Sequence, residues 1–337
     1  MAPFPCSRAV TASFFLVSAI PIALIIGLER TKLATRSFEY ESRGWLRESA
    51  KWDEAKGRFI VSLFEGGLGE IPVPTASKPG TSVLEERPLV RDPDIGSGNS
   101  SLGLLLDPPR NRVLVAVADV AGGSFAALAC YDMSNWKRVF LTRLAGPGDE
   151  KSLADDVAVD GEGNAYVTDA KASRIWKVGS GGELVKEIRS SMFRPKKQWY
   201  RNLVGLNGIV HHPDGFLLTV HTSTGTLLKI SGLGDHDDAE TVEEVRFVDG
   251  RGLAFGDGIA LLSPTRLVVA AAAPSGRLVE SRDGWRTARV VGTYVGPLHR
   301  LATSVTVKDG KPVLSHLLGG GFPRRKHLLV EAVFSPF

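Results

Sequence analysis

The sequence predicts an all-β protein: a six-bladed β-propeller preceded by an N-terminal hydrophobic helix. Three features support this fold class: one uncharged stretch near the start, glycines placed between short apolar runs, and a strand–turn–strand pattern that recurs six times. The chain has 337 residues, of which 43% are hydrophobic, 23% are charged and 37 are glycine. This composition is typical of a globular protein with a sizeable core, and abundant glycine favours many tight turns between short strands.

The first element is a stretch without charge at residues 9–28, AVTASFFLVSAIPIALIIGL. About twenty apolar residues is the length that spans a bilayer as a helix. No convincing small-x-small cleavage site follows it. Residues 1–36 are therefore predicted to be a signal anchor, with a cleaved signal peptide as the alternative. The protein would enter the secretory pathway and stay membrane-anchored, or become extracellular or vacuolar if the leader is removed.

The positive charge of the chain is concentrated beside this stretch. The formal net charge is +4, and Arg8, Arg30, Lys32 and Arg36 all flank residues 9–28. The rest of the chain is nearly neutral. Because affinity for a phosphate backbone needs a concentrated basic face, nucleic acid is excluded as a predicted partner. The composition does not indicate an oligomeric state.

The second element is a repeat that fills residues 37–337. Six runs read as strand, polar turn and strand: AKWDEAKGRFIVS, LLLDPPRNRVLVAV, VAVDGEGNAYVTD, IVHHPDGFLLTVH, ALLSPTRLVVAAA and VTVKDGKPVLSHL. Their turns fall at Asp53, Asp107, Asp160, Asp214, Pro264 and Asp309. The spacing of roughly 50 residues leaves room for four strands per unit, as in a propeller blade. The ring is predicted to close by pairing a strand from the start of this region with HLLVEAVF near the C-terminus.

Polar residues recur shortly before these turns. In a propeller the innermost strand of each blade starts at one face of the tunnel, so residues at one offset point to a common centre. Four blades supply carboxylates or an amide, namely Glu48, Asp155, Asp156, Asn207 and Asp257. Blades 2 and 6 offer Ser100 or Ser101 and Thr303 or Ser304.

The chemistry of this set favours a cation. Converging carboxylates repel one another unless a cation neutralises them. The donors are all hard oxygens, which favours calcium or magnesium over zinc, and calcium best. The alternative is that the aspartates only cap turns, a common role for Asp beside Gly.

These motifs resemble the SMP-30/gluconolactonase/LRE-like family of calcium-dependent propeller hydrolases, over nearly all of residues 45–337. ESAKWDEAKGRFIVS is similar to the family's opening Glu-Gly-Pro-x-Trp-Asp segment, whose metal-binding glutamate falls on Glu48. GLNGIVHHPDG carries the asparagine ligand, at Asn207. FGDGIAL carries an aspartate that binds metal and is a candidate general base, at Asp257. LADDVAVDGEGNAYVTD resembles the family's Asn-Asp loop, with Asp155 where asparagine is common.

The resemblance implies a hydrolase of a lactone or related ester, acting on a small-molecule substrate. The implied metal ligands are Glu48, Asp155, Asn207 and Asp257, and Asp257 is also the implied catalytic base. The implied cofactor is Ca²⁺, with another divalent cation as the alternative. Ser49 and Ala50 stand in place of Gly-Pro, and Asp155 adds a negative charge that should tighten cation binding while weakening the metal as a Lewis acid.

Two other functions stay open. One is a non-catalytic ligand-binding propeller with a structural cation, and the other is a strictosidine synthase-like enzyme. The sequence contains no Gly-x-Ser-x-Gly elbow, phosphate loop or dinucleotide fingerprint. Serine-nucleophile chemistry and nucleotide cofactors are therefore not expected.

Overall fold

A computed structural model describes residues 20–21, 23–28, 35–74, 83–95, 98–194, 203–234 and 240–336. The chain divides into two units, Met1–Ala34 and Thr35–Phe337. The second unit contains every strand among the described residues, so the features below all belong to it.

The prediction that residues 9–28 form a membrane-spanning N-terminal helix is wrong. The structure describes helix there only at residues 20, 21 and 23–28, and the rest of the stretch lies outside the described residues. Within the described part of the chain, no helix is both long enough and apolar enough to cross a membrane.

The sheets follow the repeat. β1 covers Ser37–Ser42. Blade 1 contains β2 (Ala50–Asp53), β3 (Arg58–Ser62), β4 (Leu68–Pro72) and β6 (Arg87–Val90), while the short β5 (Leu84–Glu85) pairs with β1. Blade 2 contains β7 (Ser100–Asp107), β8 (Arg112–Ala118), β9 (Ala126–Asp132) and β10 (Arg138–Ala145). Blade 3 contains β11 (Ala154–Val159), β12 (Ala165–Asp169), β13 (Arg174–Val178) and β14 (Leu184–Ile188).

The remaining blades repeat this plan. Blade 4 contains β15 (Leu206–His212), β16 (Phe216–His221), β17 (Thr226–Ser231) and β18 (Thr241–Glu244). Blade 5 contains β20 (Gly256–Ser263), β21 (Arg266–Ala271), β22 (Gly276–Glu280) and β23 (Thr287–Tyr294), with β19 (Arg246–Phe247) and β27 (Ser335–Pro336) at its edge. Blade 6 contains β24 (Ala302–Lys308), β25 (Lys311–His316) and β26 (Arg325–Glu331). Single 3₁₀ turns occur at Pro93–Ile95, Pro108–Arg110, Ser191–Phe193 and Leu298–Arg300.

The six-bladed propeller prediction is confirmed, together with its closure. Each predicted turn joins the first and second strands of one blade. β1 completes blade 6 by pairing antiparallel with β26, in a register that runs from Ser37 opposite Val330 to Ser42 opposite Arg325. The clasp therefore joins the start of the propeller to its C-terminal strand, as predicted.

The core lies between neighbouring blades. Because each sheet packs against one on either side, its strands are apolar on both faces rather than on one. Clusters of buried side chains fill the gaps between successive sheets, with Trp176 between blades 2 and 3 and Trp285 between blades 4 and 5. This packing fixes the six innermost strands around the tunnel.

Candidate metal centre

The innermost strands share an irregularity near their start. In blades 2 to 5, a register shift leaves two consecutive residues of the innermost strand without a ladder partner: Leu102 and Gly103, Asp155 and Asp156, Asn207 and Gly208, and Asp257 and Gly258. In blade 6 the shift falls at Thr303. A β-bulge of this kind bends the strand and redirects a side chain.

Blade 1 reaches the same arrangement by another route. Its ladder begins at Ala50, opposite Val61. The backbone N–H of Ser49 donates to Ser62 Oγ at 3.0 Å, so a hydroxyl takes the place of a ladder carbonyl. Glu48 therefore stands two residues before the strand, at the position that the first bulge residue occupies in the other blades.

The structure places the four predicted ligands at equivalent positions in four blades. Glu48, Asp155, Asn207 and Asp257 each occupy the first position of the irregularity. The predicted offset is wrong for blade 2, because Ser100 and Ser101 pair regularly with β8. Leu102 takes the equivalent position there, so that blade supplies no oxygen donor from a side chain. In blade 6, Thr303 is the equivalent residue.

Glycine at the second bulge position lets neighbouring inner strands approach closely. A Cβ on Gly208 would lie 2.3 Å from the carbonyl oxygen of Asp257, and one on Gly258 would lie 2.6 Å from that of Thr303. Real Cβ atoms do not come this close to backbone atoms. Thr303 Oγ1 in turn donates to the carbonyl of Glu48 at 2.6 Å, so close contacts connect blades 4, 5, 6 and 1 at this level.

Asp155 and Asp156 have different roles despite being neighbours. Asp156 is 6% exposed, and its two carboxylate oxygens accept the backbone N–H groups of Val157 at 2.9 Å and Ile209 at 3.3 Å. It therefore connects blade 3 to blade 4 through the backbone. Asp155 is the residue whose carboxylate is available as a candidate ligand, which agrees with the assignment made from the family motif.

Two oxygens of the set have no hydrogen-bond donor. Glu48 Oε2 and Asn207 Oδ1 are buried and accept no hydrogen bond from any residue that the structure describes. The Asn207 side chain, 5% exposed, donates to Asp257 through its amide group. Buried oxygens are normally satisfied, so each of these two requires an explanation.

The carboxyl groups influence one another strongly. Burial raises the pKa of Glu48 well above its usual value, and the charges of Asp257, Asp155 and Asp156 raise it further. Burial also raises the pKa of Asp155, again with help from Asp257. The pKa of Asp257 rises to about 7, because burial and the charge of Asp156 outweigh the hydrogen bonds from Asn207 and the Gly258 N–H. These acids are therefore close together and under mutual repulsion.

Two basic residues near Glu48, Arg47 and Lys51, are absent from the sequence-based prediction, and of these two only Lys51 acts on the carboxylates of the site. Arg47 is 1% exposed, and its guanidinium binds Glu65 through two bonds of 2.9 Å and Glu86 through another of 2.9 Å. Lys51 Nζ donates to the Val305 carbonyl at 2.8 Å. Both residues are charged positions within the otherwise strand-like run that carries Glu48, and this is the sequence feature that could have revealed them.

The donor set has convergent oxygens but not a formed coordination sphere. Among the described residues, no three or more His, Cys, Asp and Glu side chains already stand in a metal-holding group. The candidate set instead combines three carboxylates with the amide oxygen of Asn207. These are oxygen donors of the type that hard divalent cations prefer.

Comparisons with known proteins agree on the fold. No family model matches the sequence, and no curated protein matches it. Solved structures do match: luciferin-regenerating enzyme is 12% identical, with 89% of this chain and 97% of that chain covered and a TM-score of 0.56. U3-55K is 8% identical, with 89% and 100% covered and a TM-score of 0.57, and the RRP9 WD40 repeats are 9% identical, with 88% and 98% covered and a TM-score of 0.54. At these identities the similarity shows the propeller fold alone.

Proposed function

We propose that this protein is a calcium-dependent hydrolase of a small-molecule lactone or related ester. The observation that carries the proposal is the convergence of Glu48, Asp155, Asn207 and Asp257 from four different blades, with two buried oxygens that no described residue satisfies. The resemblance of the same four motifs to SMP-30/gluconolactonase/LRE-like proteins supports this assignment. The fold shared with luciferin-regenerating enzyme, an enzyme by its name, is consistent with it.

The residues present fit a divalent cation. Glu48 Oε2 and Asn207 Oδ1 would gain a partner, and the negative charge of Asp257, which raises the pKa of both Glu48 and Asp155, would be neutralised. A hard-oxygen set with flexible geometry favours Ca²⁺ over Zn²⁺. The blade 2 position is Leu102, whose side chain offers no oxygen donor. Catalysis would require such an open position on the metal for water or substrate.

The roles of the residues follow from their positions. Bound calcium would supply a Lewis acid that polarises the substrate carbonyl. Glu48, Asp155, Asn207 and Asp257 would hold it, and the partly buried Asp257 would also accept a proton from the water that attacks the ester carbonyl carbon. The amide of Asn207 donates to Asp257 and keeps that carboxylate oriented.

The test is a calcium titration of the purified full chain after treatment with a chelator. We expect calcium to raise the melting temperature and to support turnover in a panel of lactones and aryl esters. Asp257→Asn should lower turnover about 100-fold or more, in the range of a lost general base. The matched control is Asp214→Asn, which changes an exposed turn carboxylate of the neighbouring blade.

The remaining outcomes of the titration distinguish the hydrolase from the alternative functions. Calcium stabilisation without turnover on any substrate would favour the ligand-binding propeller with a structural cation. Turnover that survives both chelation and Asp257→Asn would contradict the proposed mechanism. No calcium response in either assay would remove the metal site altogether.

A further inference from the structure

Lys51 places a positive charge beside the acid cluster. It lies on β2, three residues after Glu48, at the innermost strand of blade 1. Its ammonium group donates to the carbonyl of Val305 on β24, the innermost strand of blade 6, at 2.8 Å. The ammonium is thus held at the junction of two inner strands by a neutral carbonyl rather than by a carboxylate.

The junction itself is adjacent to the candidate ligands. Ser304 Oγ contacts Ser49 Oγ at 3.1 Å, and Thr303 Oγ1 donates to the carbonyl of Glu48 at 2.6 Å. These bonds hold the residues just before β2, Glu48 and Ser49, against β24. The charge of Lys51 accordingly reaches the cluster, where it opposes the rise in the pKa of Glu48 and of Asp156.

We propose that Lys51 is a built-in counter-charge of the cation site, which partly neutralises its carboxylates and thereby limits how tightly a divalent cation binds there. The inference rests on the proposed calcium site and adds a positioning residue to it. Calcium and the ammonium group of Lys51 are attracted by the same carboxylates and repel each other.

A purely structural role gives different expectations. If Lys51 only ties β2 to β24 through Val305, its removal weakens the protein equally with and without calcium and leaves calcium affinity unchanged. If it is a counter-charge, its removal destabilises the calcium-free protein, in which the carboxylates then repel without compensation. The same removal tightens calcium binding, because the competing charge is gone.

The experiment uses the full chain with Lys51→Met and, as a second variant that retains a hydrogen-bond donor for Val305, Lys51→Gln. The control is Lys56→Met, which removes an exposed lysine from the turn of the same blade. Calcium affinity is measured by isothermal titration after chelator treatment, and melting temperatures are measured with chelator and with saturating calcium.

We expect both Lys51 variants to bind calcium roughly tenfold more tightly than the unmodified protein, a change set by one nearby charge at protein dielectric. We also expect their melting temperatures to fall in chelator and to recover with calcium, while Lys56→Met changes neither quantity. Unchanged calcium affinity in a folded Lys51 variant would overturn the inference while leaving the calcium site intact. Absence of calcium binding in the unmodified protein would instead overturn the calcium site and, with it, the role of Lys51.

Discussion

Replacing Asp257 by asparagine should stabilise the protein when no divalent cation is present. The carboxyl group of Asp257 has a pKa of about 7, raised from 3.8 mainly by burial and then by the charge of Asp156. Asparagine has nearly the same shape and carries no charge. Its side-chain oxygen can still accept the hydrogen bonds that Asn207 and the Gly258 N–H give to Asp257.

The magnitude follows from linkage between protonation and folding. A carboxyl group with a raised pKa binds its proton more tightly in the folded protein than in the unfolded chain. The protonated carboxyl group of Asp257 therefore contributes its full stabilisation of the folded state below pH 4, and this contribution is lost as the pH rises through 7. The difference between 3.8 and about 7, at 1.36 kcal/mol per pKa unit, corresponds to about 4 kcal/mol above pH 7.

Urea unfolding in the presence of a chelator measures this effect. At pH 8 we expect the free energy of unfolding of Asp257→Asn to exceed that of the unmodified protein by up to about 4 kcal/mol, and at pH 5 by less than half as much. The exposed control Asp214→Asn should not show this pH dependence. A variant that is less stable than the unmodified protein at pH 8 would refute the reasoning, since it would mean that the ionised cluster does not oppose folding.

Two further predictions concern the supports of the site. Gly208→Ala should lower the free energy of unfolding by about 1–3 kcal/mol, because the new Cβ meets the backbone of the next blade. Gly161→Ala is the control and should change the free energy of unfolding little, since the space around that residue is open. Equal stability of the two variants in urea unfolding would contradict the close approach of the strands. Arg47→Met should lower the free energy of unfolding by about 3 kcal/mol, because its two glutamate partners lose their cation. The control Arg43→Met changes an exposed arginine and should lower the free energy of unfolding far less. Similar chemical denaturation midpoints for the two variants would show that the ion pairs of Arg47 contribute little.

The repeat made most of the fold predictable. A strand–turn–strand pattern marks a hairpin by local chemistry, and six such hairpins at similar spacing leave few architectures other than a propeller. The clasp was predictable because closing the ring protects the sheet edges. The prediction for residues 9–28 was wrong, since their apolar composition predicted a spanning helix that the described residues do not form.

The site was only partly predictable. The positions of Glu48, Asp155, Asn207 and Asp257 at the start of four inner strands could be located because each lies at a nearly constant distance from a recognisable turn. Counting residues cannot locate the bulge itself, and for this reason Leu102 was missed in blade 2. Nor can a linear sequence show that the carboxylate of Asp156 accepts hydrogen bonds from Val157 and Ile209, or that Lys51 donates to a residue of another blade. The contacts of Asp156 with Ile209 and of Lys51 with Val305 join residues far apart in the chain.

The pairing of β1 with β26 sets an order of assembly. Among the described strands, β1 is synthesised first and its partner β26 nearly last. Phe38 and Tyr40 on β1 therefore have no neighbouring strand to pair with while the other blades form. Joining residues so distant in sequence is slow, because the entropy of a long loop must be lost before any contact compensates for it. A nascent chain that stops before β26 can hold Asp155, Asn207 and Asp257 in finished blades while the last blade stays open. The mouth of the tunnel therefore becomes complete only after β26 has been synthesised, and until then the open last blade exposes apolar residues.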